Sequence, residues 1–262
     1  MESEDELDLT DPPAGGQRLH WHQLPEDLRQ AIEAGIRSSV VEAKTQPGGF
    51  SPGVAARLRL DDGRRIFMKV VGSHPNPSSP ELHRREAKIA TALPPYAPAP
   101  RLLWSYDDGD WVALGFEDIN GRTPKMPWLK DELTRVLATI EQLARSLTPS
   151  PLATAPSLKT SMEDVFKGWR TLSGGPLPDR LDDWTKANLD RLVLLENLWK
   201  VAAEGNTLLH VDIRADNLLL TEDKVFVVDW PHAANGADWA DLLFMLPSVY
   251  MQGGPPPWAV FD

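Results

Sequence analysis

Two short apolar runs, Leu218-Leu219-Leu220 and Val225-Phe226-Val227-Val228, flank the polar tetrapeptide Thr221-Glu222-Asp223-Lys224 and so prescribe a tight β-hairpin. Folding it brings its open ends side by side, and those ends are Asn217 and Asp229. Directly opposed residues of an antiparallel pair sit about 4.5–5.5 Å apart at Cα. Two side-chain oxygens at that spacing can converge on one or two Mg²⁺ ions, which take oxygen ligands at about 2.0–2.1 Å. Asp212 lies just upstream, in the loop entering the first strand, within reach of the same cavity.

The order His210-Val211-Asp212-Ile213-Arg214-Ala215-Asp216-Asn217, then the hairpin, then Asp229-Trp230, has the spacing of a phosphoryl-transfer site. Any one of these residues is an ordinary turn residue. The constellation carries the inference. Asp212 suits acceptance of a proton from a substrate hydroxyl, and Asn217 and Asp229 offer hard oxygens to Mg²⁺.

The first half of the chain carries candidates for holding a nucleotide. Gly48, Gly49 and Gly53 sit between extended segments, where a hairpin lid would let backbone N–H groups approach phosphates. No Gly-Lys-Ser/Thr follows, so this is not a Walker A loop. Lys69 is the one cation within the apolar strand Ile66-Phe67-Met68-Lys69-Val70-Val71, where an ammonium needs a partner. On a helix opening at Ser79, Leu82, Glu86, Ile89 and Leu93 share one face, which sets Glu86 among apolar neighbours and makes it that partner. Glu81 falls on the solvent side.

Strands are expected at 54–60, 64–71, 101–106 and 111–116, with the single helix 79–93 among them. A short helix is expected within 21–36. After Phe116 the spacing of Leu133, Val136, Leu137, Ile140, Leu143 and Leu147 is helical. Ser161 with Asp164 resembles a capping box for a helix reaching Leu172. Asp182 or Asp183 caps another, ended near Gly205, and an apolar helix runs over 238–245. The fold class is therefore α+β: an acidic, disordered leader (1–17), a small antiparallel-sheet lobe with one helix (18–116), and a mostly helical lobe carrying the catalytic hairpin (117–262).

Composition narrows the functional classes. The net charge of −11 argues against a nucleic-acid partner, which would need clustered Lys and Arg, and is compatible with a cationic small molecule. The absence of cysteine excludes disulfides and thiolate metal sites and fits a reducing cytoplasm. No run approaches the roughly 18–20 apolar residues of a membrane span, the acidic N-terminus is unlike a signal peptide, and no obligate protein partner is evident.

These motifs resemble those of the aminoglycoside phosphotransferase and choline-kinase-like branch of the protein-kinase fold. The 210–217 segment is similar to that family's His-Gly-Asp-x-x-x-x-Asn loop, and Asp229-Trp230 to its Ile/Val-Asp-Trp metal motif. Glu117-Asp118-Ile119-Asn120-Gly121-Arg122 resembles the segment after its interlobe hinge, and Gly236-Ala237-Asp238-Trp239-Ala240-Asp241-Leu242 its following Asp-Leu helix start. The resemblance implies that Asp212 orients and deprotonates the acceptor hydroxyl, while Asn217 and Asp229 ligate Mg²⁺. Lys69 would meet the phosphates of ATP or GTP, braced by Glu86, and Gly115, Phe116 and Glu117 would meet the adenine edge through their backbone. His210 would support the loop and Asp241 anchor it from behind. Arg214 either touches the transferred phosphate or faces solvent.

Three departures stand out. Val211 replaces the usual glycine, which implies regular backbone there, with φ below zero. Pro231 stands where an acidic residue is common. The chain runs only 33 residues past Asp229, shorter than the resemblance suggests. The expected activity is ATP-dependent phosphotransfer to a hydroxyl of a small molecule, such as an aminoglycoside or other antibiotic. A metabolic amino-alcohol or sugar kinase, or a non-catalytic nucleotide-binding module, is the alternative. A protein kinase is disfavoured because no Ala-Pro-Glu follows Asp229.

Overall fold

The computed structural model describes residues 18–47, 52–74 and 76–261. The acidic leader, Gly48 and Gly49 lie outside the described residues. The chain forms two compact units, one from residues up to Ala87 together with Pro100–Ile119, the other from Lys88–Ala99 together with Asn120–Asp262.

In the first unit a five-stranded antiparallel sheet has the order β1-β2-β3-β5-β4, with β1 Val40–Thr45, β2 Val54–Leu60, β3 Arg65–Gly72, β4 Leu102–Asp107 and β5 Trp111–Glu117. The β3 side chains alternate. Ile66, Met68 and Val70 are buried in one core with Leu28, Ile32 and Ile36 of helix α1 (Glu26–Ile36). Pro25 precedes α1, Glu26 and Asp27 occupy its first turn, and Arg37 ends it in the left-handed region at φ 58°. Phe67, Lys69 and Val71 take the other face of β3, with Ala55 and Leu114 directly beside Lys69 on the neighbouring strands. Helix α2 (Ser79–Ala92) is the helix expected between the strands.

In this unit the expected strands and the helix 79–93 fall within a residue or two of their places, and β1 is the exception. That edge strand is largely exposed and shows no apolar alternation to mark it.

In the second unit α3 (Lys130–Ser146) buries Leu133, Val136, Ile140 and Leu143. The expected helix from Ser161 to Leu172 is broken in two, α4 (Leu158–Met162) and α5 (Gly168–Ser173). The Ser157 hydroxyl, not Ser161, accepts from the Thr160 N–H to cap α4, and Asp164 turns to Lys167. Asp182 caps α6 (Asp183–Ala202), taking the Thr185 N–H at 2.8 Å and its hydroxyl at 2.6 Å. Two strands too short to read from sequence, β6 (Thr207–Leu209) and β9 (Ala234–Gly236), pair antiparallel. They bracket the hairpin of β7 (Leu218–Leu220) and β8 (Val225–Val227), and α7 (Ala240–Met251) follows. Among the described residues no helix is long and apolar enough to cross a membrane.

Candidate active site

The first unit presents the lysine–glutamate pair. Lys69 Nζ lies 2.7 and 2.8 Å from the two carboxylate oxygens of Glu86. Glu86 is 3 % exposed, so α2 delivers a carboxylate into the sheet's apolar face where only an opposite charge can compensate it. Lys69 also stands 5.9 Å from the centre of the Phe116 ring. Glu81 points outward beside Arg85.

Gly53 has a packing reason for being glycine: a Cβ there would lie 2.1 Å from the Val70 carbonyl oxygen. Gly115, Phe116 and Glu117 lie inside β5, between β3 and β4. Their backbone pairs with the neighbouring strands, continuing by one residue the strand expected at 111–116. The Glu117 side chain is tied to Arg101 at 2.8 Å, and Asp118 is buried between Arg57 and Arg65.

In the second unit β6 delivers the chain to His210, which is fully buried. Its Nδ1 accepts from the Asp212 N–H at 3.2 Å, and its Nε2 donates to the Val228 carbonyl at 2.9 Å. One nitrogen accepting and one donating describes a neutral imidazole. Burial lowers its pKa, against the pull of the Asp241, Asp229 and Asp212 carboxylates. The Trp230 indole packs edge-on at 4.7 Å between ring centres and donates to the Val227 carbonyl.

Val211 overturns the expectation of regular backbone, because its φ is +74°. A β-branched residue rarely adopts this conformation. The carboxylate of Asp241, in the first turn of α7, holds it there. Its oxygens accept from the His210 and Val211 N–H groups at 2.8 and 2.7 Å. Burial pushes the Asp241 pKa up, opposed by His210 and by these two donors. The glycine conformation thus persists without glycine, because tertiary bonds over-determine it.

Beyond Val211 the loop closes in one 3₁₀ turn, Ala215–Asn217. The Asn217 amide nitrogen donates to the Asp212 carbonyl at 2.9 Å and to its carboxylate at 3.2 Å, which leaves Oδ1 as the amide's acceptor. The hairpin register is Leu218↔Val227, and the Val228 N–H donates to the Asn217 carbonyl. Asp229 therefore stands one residue past direct opposition to Asn217, and its φ of +68° redirects the chain there. Arg214 pairs with Asp216, a partner that no local pattern marks, and that bond, with the nearby Asp212 and Asp229 carboxylates, raises the guanidinium pKa.

Among the described residues no group of three or more His, Cys, Asp or Glu could hold a metal by itself. An amide oxygen and one or two carboxylates fit Mg²⁺, which is commonly held by few protein ligands and completed by substrate phosphates and water.

A family model described as "Phosphotransferase enzyme family" matches residues 43–260. A solved structure, an aminoglycoside-3'-phosphotransferase of type VIII, is similar with a TM-score of 0.56 at 24 % identity, over 90 % of this chain and 88 % of that one. The likeness establishes the α+β, protein-kinase-like fold expected from the sequence. No curated protein sequence matches significantly.

Proposed function

Since the chain belongs to the phosphotransferase enzyme family, we propose that it transfers the γ-phosphoryl group of ATP, with Mg²⁺, to a hydroxyl of a small molecule. The observation that carries this reading is the 210–217 loop. It aims the Asp212 carboxylate and the Asn217 amide at one another, at 3.2 Å, on a backbone fixed by the buried Asp241. A module that only bound nucleotide would have no need of a carboxylate held this way.

In this reading Asp212 accepts the hydroxyl proton and orients the acceptor oxygen for in-line attack. Asn217 and Asp229 hold the metal, which when bound neutralises charge on the phosphates. Lys69 donates to the nucleotide phosphates, and Glu86 keeps its ammonium oriented. His210, neutral and bonded at both nitrogens, shapes the loop and moves no proton.

For the acceptor class we favour an antibiotic such as an aminoglycoside. One solved structure similar to this chain is an aminoglycoside phosphotransferase, and a net charge of −11 suits a cationic acceptor. The test is Mg²⁺-dependent ADP release from ATP across a panel of aminoglycosides, nucleoside antibiotics, choline and simple sugars, with Asp212→Ala alongside. Acceptor-stimulated turnover that vanishes in Asp212→Ala while ATP binding persists is the expected result. Turnover surviving in that variant would refute the assignment of the base. A metabolic alcohol as the one stimulating acceptor would refute the antibiotic class.

A further inference from the structure

The 210–217 loop holds a cation as well as its carboxylates. Asp216 grips Arg214 by one edge, Nε to Oδ1 at 3.0 Å and Nη2 to Oδ2 at 2.5 Å, and Arg214 Nε stands 4.0 Å from Asp212 Oδ1. Asp216 belongs to the same 3₁₀ turn that ends in Asn217, so one piece of backbone fixes both. The two side chains are 40 % and 56 % exposed, and a pair in that setting adds little stability. Its bidentate form, however, restricts a side chain that otherwise samples many rotamers.

We propose that Asp216 is a positioning residue for the phosphoryl transfer described above: it holds Arg214 beside Asp212, where the guanidinium donates to the oxygens of the phosphoryl group in flight. As the bond from phosphorus to the leaving nucleoside diphosphate breaks, the bond to the acceptor oxygen forms and the hydroxyl proton passes to Asp212. Negative charge spreads over the phosphoryl oxygens at that moment, and a cation already in place stabilises it without reorganising. Lysine in place of Arg214 would keep the charge but lose the fork that Asp216 grips. The inference rests on the phosphotransfer reading.

The experiment uses the full chain with Arg214→Ala, Asp216→Ala, the double variant, and Arg214→Lys with and without Asp216→Ala. It reads kcat and KM for Mg·ATP turnover, with the best acceptor or with water. In parallel, NMR follows solvent exchange of the Arg214 Nε–H. Each alanine variant is expected to lower kcat about tenfold with KM changed less than about threefold. The double variant should fall no lower than Arg214→Ala alone, and Arg214→Lys should be indifferent to Asp216. The Nε–H should exchange slowly in the wild type and fast in Asp216→Ala.

Wild-type kcat in Asp216→Ala, or losses that multiply in the double variant, overturn the positioning role while the phosphotransfer reading stands. Fast exchange in the wild type overturns the pair itself. A wild type that protects the Nε–H yet turns over no ATP refutes the phosphotransfer reading, and with it any catalytic purpose for the pair.

Discussion

The Lys69–Glu86 pair allows a prediction in which two substitutions together are milder than either alone. The Glu86 side chain is 4 % exposed and that of Lys69 17 %. Lys69→Met leaves a carboxylate enclosed by apolar neighbours with its compensating charge gone. Breaking a buried pair from one side in this way costs about 3–5 kcal/mol. Glu86→Gln leaves the ammonium instead, on a flexible stem that already reaches some solvent and retains an amide oxygen as acceptor. Its cost is smaller, about 1–3 kcal/mol. Lys69→Met with Glu86→Leu removes both charges and fills the space with apolar atoms, an exchange that is often neutral or stabilising by about 1–4 kcal/mol. The double variant should therefore lose no more than about 1 kcal/mol relative to the wild type or gain stability, and Lys69→Met should be the least stable of the set. Urea unfolding followed by the fluorescence of the ten tryptophans gives the four stabilities, and m-values confirm a common unfolding transition. The double variant should be folded yet have no turnover. Additive destabilisation in the double variant, or Glu86→Gln costing more than Lys69→Met, would refute the burial argument.

Three further outcomes follow from the second unit and the sheet. Because the folded state holds His210 neutral and burial lowers its pKa, protons bind the unfolded chain preferentially as pH falls below about 6.5, and stability is lost by up to about 1.4 kcal/mol per pH unit. Asp241, raised by burial, acts in the opposite sense, so the diagnostic is a slope from about pH 6.5 to 5.5 steeper in the wild type than in His210→Gln; equal slopes would contradict a neutral His210. Asp241→Ala strands two buried N–H donors and should cost about 2–6 kcal/mol together with most turnover, measured by thermal unfolding and ADP release; a stable, active variant would show that the loop does not depend on this anchor. Gly53→Ala forces a methyl group to 2.1 Å from the Val70 carbonyl and should cost about 1–3 kcal/mol through displaced backbone, and unchanged urea stability would contradict that close approach.

Local patterns make much of this protein legible in its amino-acid sequence. The hairpin 218–227 can be read because two apolar runs flank a polar tetrapeptide, and that alone brings Asn217 near Asp229. Glu86 is identifiable as the partner of Lys69 because helical spacing puts its carboxylate on an apolar face. Other elements lack such a pattern. β1 is an exposed edge strand, and β6 and β9 are three residues each, joined across the intervening hairpin 218–227. Ser157 rather than Ser161 caps its helix because the Ser157 hydroxyl meets the Thr160 N–H as the loop comes in.

What the chain by itself determined is the inventory of chemistry and its order: the proposed base, the proposed metal ligands, the lysine and its glutamate, carried on elements most of which can be read from neighbours a few residues away. What tertiary structure alone decided is conformation set from a distance. Val211 reads as a residue that belongs at negative φ, and it sits at +74° because a carboxylate thirty positions later accepts two backbone N–H groups. β6 and β9 show no period at all and are strands because each finds the other across the hairpin that separates them in the chain. Local periodicity records which face a side chain takes; it holds no record of which distant group will reach across to finish the bond.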